Sequence, residues 1–254
     1  MGENHWKTAI TKIEPNKISV RGYRVDRLMG KISFPQAIYL ILKGELPDEK
    51  TGKMVDAILV SSIDHGATPP STLAARTIAS TGSPLNAALA GGILAIYKYH
   101  GGAVENAMKQ YLEIVEMGDD IEKSAEKFVE RKLSSKQVIY GFGHRYHKND
   151  PRTAKLFELA RELGFYGKYV KTAQAIADSI ERIKGKRLPI NVDGAIAAIL
   201  CELGFPPELG NAFFIMARTP GLIAHIYEEQ TRMKPMRKID PVDHEYDGPA
   251  EREI

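Results

Sequence analysis

The sequence contains a single cysteine, Cys201, among its 254 residues. One cysteine excludes an intramolecular disulfide and is typical of proteins from a reducing compartment. Because Cys201 lies within an apolar run, we interpret it as a small core residue rather than a nucleophile. With 43% hydrophobic residues, a chain of this length can bury a globular core, as one large domain or as two that share an interface.

Long apolar segments and a strong excess of charge are also missing. The N-terminal MGENHWK has no signal-peptide core, and every apolar stretch is broken well before the ~20 residues that span a bilayer. We therefore predict a soluble, cytoplasmic protein with no membrane association. Lys and Arg number 35 against 32 Asp and Glu, and the resulting net charge of +3 is too slight and too scattered to indicate nucleic-acid binding.

The common nucleotide and zinc motifs are absent from the sequence. No G-x-G-x-x-G follows a strand, and there is no G-K-[ST] loop, which disfavours a Rossmann or P-loop site. His144, His147 and Asp150 could be taken as zinc ligands, but neither CxxC nor HExxH is present. We therefore predict that the protein has no metal site.

What the sequence does contain is a succession of helical patterns. A strand–turn–strand pattern lies between Ile10 and Val25, around Pro15-Asn16, and no alternating pattern recurs after residue 30. Ser33 and Pro35 begin a helix that Gly44 ends. Further helices are predicted near 48–63, 71–80, 84–99, 103–117, 120–132, 152–163, 168–184, 194–203 and 208–232. The expected fold is therefore all-α with a short N-terminal β-hairpin.

Three histidines stand at predicted helix ends beside glycine, namely His65, His100 and His144. Glycine lets the backbone approach a ligand closely, so these three are candidates for function. Of the remaining four histidines, His5, His225 and His244 are interpreted as structural, because a lone histidine is more often packed than catalytic.

The segment 141–152, GFGHRYHKNDPR, concentrates glycine, histidine and positive charge. Backbone N–H groups of a Gly-x-Gly loop can hold a phosphate or adenine, and Arg145 and Lys148 add positive charge. Arg152 has a guanidinium suited to bidentate carboxylate binding, and His144 can exchange a proton near neutral pH. A basic surface turn explains the same residues equally well.

Asp193 lies where an almost wholly apolar helix is predicted to begin. An aspartate at this position most simply caps the helix. Alternatively, a carboxylate facing a closed, dry site would have a raised pKa and could serve as a base for a carbon acid.

Several blocks resemble the citrate synthase superfamily, in the order in which that family has them. They are VRGYRVDRLMGKISFPQAIYLILKGELP, SIDHG, YHGGAVENA, GFGHRYHKNDPR, PINVDG and MARTPGLIAHIYEE, and they extend from residue 20 to about 235. The resemblance implies a larger helical domain of residues 1–102 and 208–254 and a smaller one of residues 103–207, with the site in the cleft between them. It also implies a homodimer or higher homo-oligomer, and the Ala- and Gly-rich helix 84–99 would suit such an interface.

The resemblance also implies roles for individual residues. His100 would stabilise the enolate of acetyl-CoA, Asp193 would move the proton on its methyl carbon, and His144 would exchange the proton on the oxygen of oxaloacetate, the citryl hydroxyl in reverse. His65, Arg152 and Arg218 would bind the four-carbon unit. The CoA-binding residues would be Gly141, Phe142, Gly143, Arg145 and Lys148. Coenzyme A would enter as part of the substrate, with no separate cofactor.

Departures from the family pattern favour one branch. Full-length synthases carry a long helical insert where this chain has one predicted helix between Pro47 and His65. That compactness resembles the citryl-CoA lyase module of ATP-citrate lyase, so we expect cleavage of citryl-CoA, with a citryl-CoA synthetase as a candidate partner. The alternatives are a citrate or 2-methylcitrate synthase and a catalytically silent acyl-CoA-binding subunit. Near the C-terminus, Lys234-Pro235 replaces the family's Arg-Pro, with Arg232 and Arg237 nearby, so the third carboxylate contact is undetermined.

Overall fold

The computed structural model describes residues 6–118, 120–143, 150–238, 243 and 245–253. An antiparallel three-stranded sheet comes first, in the order β1 (Thr11–Glu14), β2 (Lys17–Val20), β3 (Tyr23–Arg24). Asn16, at the turn between β1 and β2, has a φ of 58°. The predicted hairpin is thereby confirmed, with β3 as a short addition.

Helices make up most of the remaining described chain, which confirms the all-α prediction. In chain order they are α1 (Val25–Leu28), α2 (Phe34–Lys43), α3 (Glu49–Ser61), α4 (Pro70–Ser80), α5 (Leu85–Leu94), α6 (Ala103–Glu116), α7 (Ile121–Ser134), α8 (Pro151–Leu163), α9 (Lys168–Lys184), α10 (Val192–Glu202) and α11 (Gly210–Arg232), with a 3₁₀ turn at Pro207–Leu209 before α11. Among these residues, no helix is long and apolar enough to cross a membrane.

Local sequence signals match the structure at both ends of α2 but not at the end of α5. Ser33 and Gln36 form a capping box at the start of α2, and Gly44 ends that helix with a φ of 92°. By contrast, α5 ends at Leu94 instead of near residue 99. The amide of His100 bonds to the carbonyl of Tyr97 at 2.8 Å, so a tight turn replaces the last predicted helical turn.

The chain packs as two compact units. The first comprises the residues up to Ile63 together with Tyr97–Arg218, and the second comprises Asp64–Ile96 and the chain from Thr219 onward. These boundaries come from packing alone, and the predicted domains 1–102 with 208–254 and 103–207 remain a prediction.

Helix α10 forms the centre of the first unit. Every residue of α10 from Gly194 to Cys201 is buried, and the helix packs on α6, α8 and α9. A helix that is apolar on all sides can hide its side chains only when neighbours surround it. Cys201 belongs to this core, as predicted, and burial together with nearby Glu202 raises the pKa of its thiol to about 12. Its thiolate is therefore not formed at neutral pH.

The second unit has a smaller apolar core. It is built from α4, α5 and the C-terminal part of α11, through Ala75, Ala79, Ala88, Leu222 and Ile226. Small residues allow close approach, since a Cβ on Gly92 would meet Ala75 Cβ at 3.0 Å and Leu222 Cδ1 at 3.2 Å. Arg76 on α4 also donates to Glu229 on α11 at 2.7 Å, and both side chains are buried.

Candidate active site

Asp193 lies in the first turn of α10, but it does not cap the helix. The N-cap is Asn191, whose side-chain oxygen accepts a hydrogen bond from the amide of Gly194 at 3.0 Å. The interpretation of Asp193 as a cap is therefore wrong, and the signal for the true cap was the Asn two residues earlier. The carboxyl group of Asp193 is available for another role.

The surroundings of Asp193 make its carboxyl group a weaker acid. The residue keeps some accessible surface, yet its Oδ1 is buried and has no hydrogen-bond partner among the described residues. Burial raises the pKa of Asp193 from 3.8 to about 6, although the positive charges of Arg152 and Arg218 act to lower it and Asp150 acts to raise it. Such a group gains and loses a proton close to neutral pH.

Arg152 is held at the start of α8 by Asp150. The Asp150 side chain caps α8 by accepting from the amide of Arg152, and it also binds the Arg152 guanidinium in a fork, with Nε–Oδ1 at 3.0 Å and Nη2–Oδ2 at 2.8 Å. Because Asp150 is buried, this fork fixes the guanidinium plane. Nη1 points to the carbonyl of Ser61 at 3.5 Å.

Arg218 is anchored at the carbonyl of Ser62, the residue after the Ser61 that Arg152 approaches. Its side chain is almost fully buried, and its Nε donates to the carbonyl of Ser62 at 3.1 Å. Ser61 and Ser62 are the last residue and the C-cap of α3, whose carbonyl end carries partial negative charge. The end of α3 thus brings together two guanidiniums that lie far apart in the sequence, while their predicted role in binding a dicarboxylate stays a prediction.

His100 and Arg218 both contact Phe214. The His100 ring meets the edge of Phe214 with centroids 5.8 Å apart, and the Arg218 guanidinium lies 4.8 Å from the centre of the same ring. Phe214 is itself buried. Sequence reasoning missed this residue, although its position one helical turn before Arg218 places both on one face of α11.

The glycines around His100 fix its turn. Gly101 has a φ of 76°, and a Cβ on Gly102 would lie 2.8 Å from the carbonyl oxygen of Tyr97. Both positions therefore require glycine, which holds His100 just before α6.

Only the first part of the predicted CoA-binding loop lies within the described residues. Gly141 and Gly143 have φ values of 87° and 83°, and Phe142 forms a bridge with Ile190. The remaining predicted residues, His144, Arg145 and Lys148, lie outside the described residues, as does His147 of the zinc alternative. Their roles stay predictions.

His65 belongs to the second unit, where Asp64 organises its loop. Asp64 Oδ2 accepts from the amide of Gly66 at 2.9 Å, and Oδ1 lies 3.0 Å from Nε2 of His225. Burial acts to raise the pKa of Asp64, but these bonds and one from the amide of His65 hold the pKa below its usual range. His225, which sequence reasoning treated as a packed residue, thus has a polar partner next to a predicted substrate ligand.

Among the basic side chains near the C-terminus, some form ion pairs with glutamates and others are exposed. Arg237 binds Glu229 through Nε at 3.0 Å and through Nη2, while its amide donates to the hydroxyl of Ser80. Arg232 pairs with Glu228, and Lys234 is exposed. Arg237 is thus occupied within its own unit.

A family model described as "Citrate synthase, C-terminal domain" matches residues 47–239. Among curated proteins, the citrate/2-methylcitrate synthase of Bacillus subtilis (strain 168) is 34% identical over 213 residues, which are 81% of this chain and 55% of that protein. The citrate synthase of Saccharolobus solfataricus is 32% identical over 79% of this chain and 55% of its own length. The chain therefore spans about half the length of the curated relatives it matches.

Solved structures include one that matches almost end to end. Citryl-CoA lyase from Hydrogenobacter thermophilus is 50% identical, with 98% of this chain and 97% of that one covered and a TM-score of 0.93. ATP citrate lyase from Methanothrix soehngenii, in complex with citrate and coenzyme A, shares the fold at 22% identity, covering 99% of this chain and 43% of that one, with a TM-score of 0.85.

Proposed function

Since this chain belongs to the citrate synthase family, we propose that it is a citryl-CoA lyase, which cleaves citryl-CoA to acetyl-CoA and oxaloacetate. The observation that carries the proposal is the near full-length match, at half of all positions, with the citryl-CoA lyase of Hydrogenobacter thermophilus. The single helix α3 between Pro47 and His65, in place of a long insert, agrees with the same branch of the family.

In the proposed reaction, three residues would share the transfer of protons and electrons. His144 would take the proton of the citryl hydroxyl, the C–C bond would break as the ketone of oxaloacetate forms, and the bonding pair would pass to an enolate held by His100. Asp193 would then protonate the enolate carbon. The rise of its pKa to about 6 favours this step, because a larger fraction of the group carries a proton near neutral pH than in an ordinary aspartate.

We assign the four-carbon unit to three cationic or proton-donating side chains, His65, Arg152 and Arg218. The anchoring of both guanidiniums at the end of α3 supports this assignment, because a dicarboxylate needs two fixed positive charges. The thioester half would lie on the loop that begins at Gly141, with coenzyme A as part of the substrate and no metal or prosthetic group in the reaction.

The experiment that tests the proposal separates cleavage from hydrolysis. Purified protein is given citryl-CoA, and the products are separated by chromatography. We expect acetyl-CoA and oxaloacetate to appear much faster than citrate and free CoA, because a lyase must keep water from the thioester that a synthase hydrolyses.

The rival functions predict other product patterns in the same assay. Citrate and free CoA as main products would identify a compact citrate synthase instead. No turnover at all would identify a silent acyl-CoA-binding subunit. The Asp193→Asn variant serves as the background control for uncatalysed breakdown of citryl-CoA.

We further propose that the protein works in the cytoplasm as a homodimer or larger homo-oligomer, supplied by a citryl-CoA synthetase. Exposed leucines support self-association, since α4 and α5 of the second unit expose Leu73, Leu85 and Leu94. Light scattering on the purified chain tests this proposal, and a monomer at micromolar concentration would refute it.

A further inference from the structure

Asn191 connects two segments that carry predicted catalytic residues. Its Oδ1 accepts from the amide of Gly194, next to Asp193, at 3.0 Å. Its Nδ2 donates to the carbonyl of Gly143, the residue before His144 in the chain, also at 3.0 Å. A single amide side chain therefore uses its acceptor end for one segment and its donor end for the other.

The backbones of these segments are bonded to each other as well. The amide of Asn191 donates to the carbonyl of Gly141 at 3.0 Å, and the amide of Gly143 donates to the carbonyl of Pro189 at 2.8 Å. The approach is so close that a Cβ on Gly194 would overlap the Gly141 carbonyl oxygen. Residues 141–143 and 189–194 thus share one register, with no room for a side chain between Gly141 and Gly194.

Cleavage of a C–C bond places a geometric demand on this register. A proton leaves the hydroxyl oxygen on one side of the bond, and a proton must reach the carbon on the other side, so the base and the acid must keep a fixed separation. The backbone bonds set the register of the two segments, but they do not orient the carbonyl group of Gly143. The Nδ2 bond to the Gly143 carbonyl fixes the orientation of that carbonyl group.

We propose that Asn191 is a positioning residue of the reaction, which sets the separation between Asp193 and Gly143, the residue before His144 in the sequence, through its two side-chain bonds. This inference rests on the proposed function. It gives Asn191 a task that Ser, Thr and Asp at the N-cap would fail to perform, since an ionised Asp has no donor and the single hydroxyl of Ser or Thr cannot occupy the positions of both Oδ1 and Nδ2.

Two substitutions distinguish the bond that caps α10 from the bond to the Gly143 carbonyl. Asn191→Ser keeps an oxygen that caps α10 and loses the donor to Gly143. Asn191→Asp also keeps the cap, and it turns a carboxylate oxygen toward the Gly143 carbonyl. Asn191→Ala removes both bonds, and Asp120→Ser, which exchanges one capping side chain for another at the start of α7, is the matched control.

Two activities are measured for each variant, together with its thermal melting. One is kcat and KM for citryl-CoA cleavage, and the other is exchange of the acetyl-CoA methyl protons in deuterated buffer with an unreactive four-carbon dicarboxylate bound. We expect Asn191→Ser to lower kcat for cleavage by about 10- to 100-fold, with KM and methyl exchange within about 3-fold of the wild type. Asn191→Asp should lower kcat further, Asn191→Ala should also lose exchange, and Asp120→Ser should leave both activities unchanged.

Other results would overturn the inference. Full cleavage by Asn191→Ser would mean that Asn191 only caps the helix, and equal losses of cleavage and exchange would mean that it does not act on the Gly143 segment separately. If the wild type cleaves no citryl-CoA, the proposed function fails, while the ¹³C chemical shift of the Gly143 carbonyl still reports whether the side chain of Asn191 donates to it. A carbonyl shift that is the same in the wild type and in Asn191→Ser would refute the positioning role independently.

Discussion

Replacement of Asp193 by Asn should stabilise the protein while it abolishes proton transfer at carbon. Asparagine resembles the protonated carboxyl group in shape, but it carries no charge and no transferable proton. In the folded protein, burial raises the pKa of Asp193 from 3.8 to about 6, so the charged form at neutral pH costs folding free energy. The Asn variant avoids that cost.

The magnitude follows from the difference between the two pKa values. At about 1.4 kcal/mol per pKa unit, the rise from 3.8 to about 6 corresponds to roughly 3 kcal/mol of destabilisation when the group is ionised in both states. For a chain of this size, that amounts to an increase of about 6–12 °C in the Tm of the Asn variant at pH 8. The pKa shift also leaves about a tenth of Asp193 protonated at pH 7, against less than about 0.1% for an ordinary aspartate.

The sign of the pH dependence is fixed by the direction of the shift. Well above pH 6 the aspartate is charged in both folded and unfolded chains, and the full stability advantage of the Asp193→Asn variant over the wild type is present. As the pH falls through 6 toward 3.8, the folded wild type takes up a proton and the advantage shrinks; below the unfolded pKa of 3.8 it vanishes.

Thermal and urea unfolding of both proteins between pH 4 and 8 measure this effect, and methyl exchange of acetyl-CoA measures the chemistry. The control is Asp178→Asn, at an exposed aspartate on α9, which should change neither stability nor exchange. A lower Tm for Asp193→Asn at pH 8, or exchange that persists, would refute the reasoning.

Three further substitutions test the other site residues. His144→Ala should lower kcat for cleavage by roughly 10²–10⁴ with the fold intact, as circular dichroism can verify, and an unchanged rate would rule out its role as acid or base. Arg152→Lys keeps the charge but loses the fork to Asp150, so oxaloacetate should bind more weakly by about 1.5–3 kcal/mol in calorimetry. Coenzyme A affinity should hardly change, and equal losses for both ligands would mean that Arg152 holds the loop instead. His225→Phe removes the bond to Asp64, so KM for citryl-CoA should rise severalfold, while a change in Tm alone would leave His225 a structural residue.

Much of the fold was predictable because its signals are local. The turn at Asn16, the capping box at Ser33 and the ends of α2 and α9 at glycine depend on residues a few positions apart. The all-helical class and the buried α10 follow from apolar periodicity in the same way. The family resemblance alone groups six residues as catalytic or substrate-binding, namely His65, His100, His144, Arg152, Asp193 and Arg218.

The arrangement of the site required the tertiary structure. The fork between Arg152 and Asp150 joins residues two apart, but the anchoring of both guanidiniums at Ser61 and Ser62 spans 91 and 156 positions. No periodic pattern marks contacts between residues so distant in sequence. The same holds for the bond from Asp64 to His225, which changed our interpretation of a histidine that the sequence alone gave no reason to single out.

Asp193 shows most clearly what the sequence determines and what the tertiary structure determines. The sequence by itself determined that a carboxylate stands at the start of an apolar helix, where capping was the simplest interpretation. Only the tertiary structure decided that Asn191 takes the cap, that Oδ1 of Asp193 is buried and that two guanidiniums moderate its charge. The physical reason is that a pKa depends on desolvation and on charges within a few ångströms, and folding brings those neighbours together from helices that are far apart in the sequence.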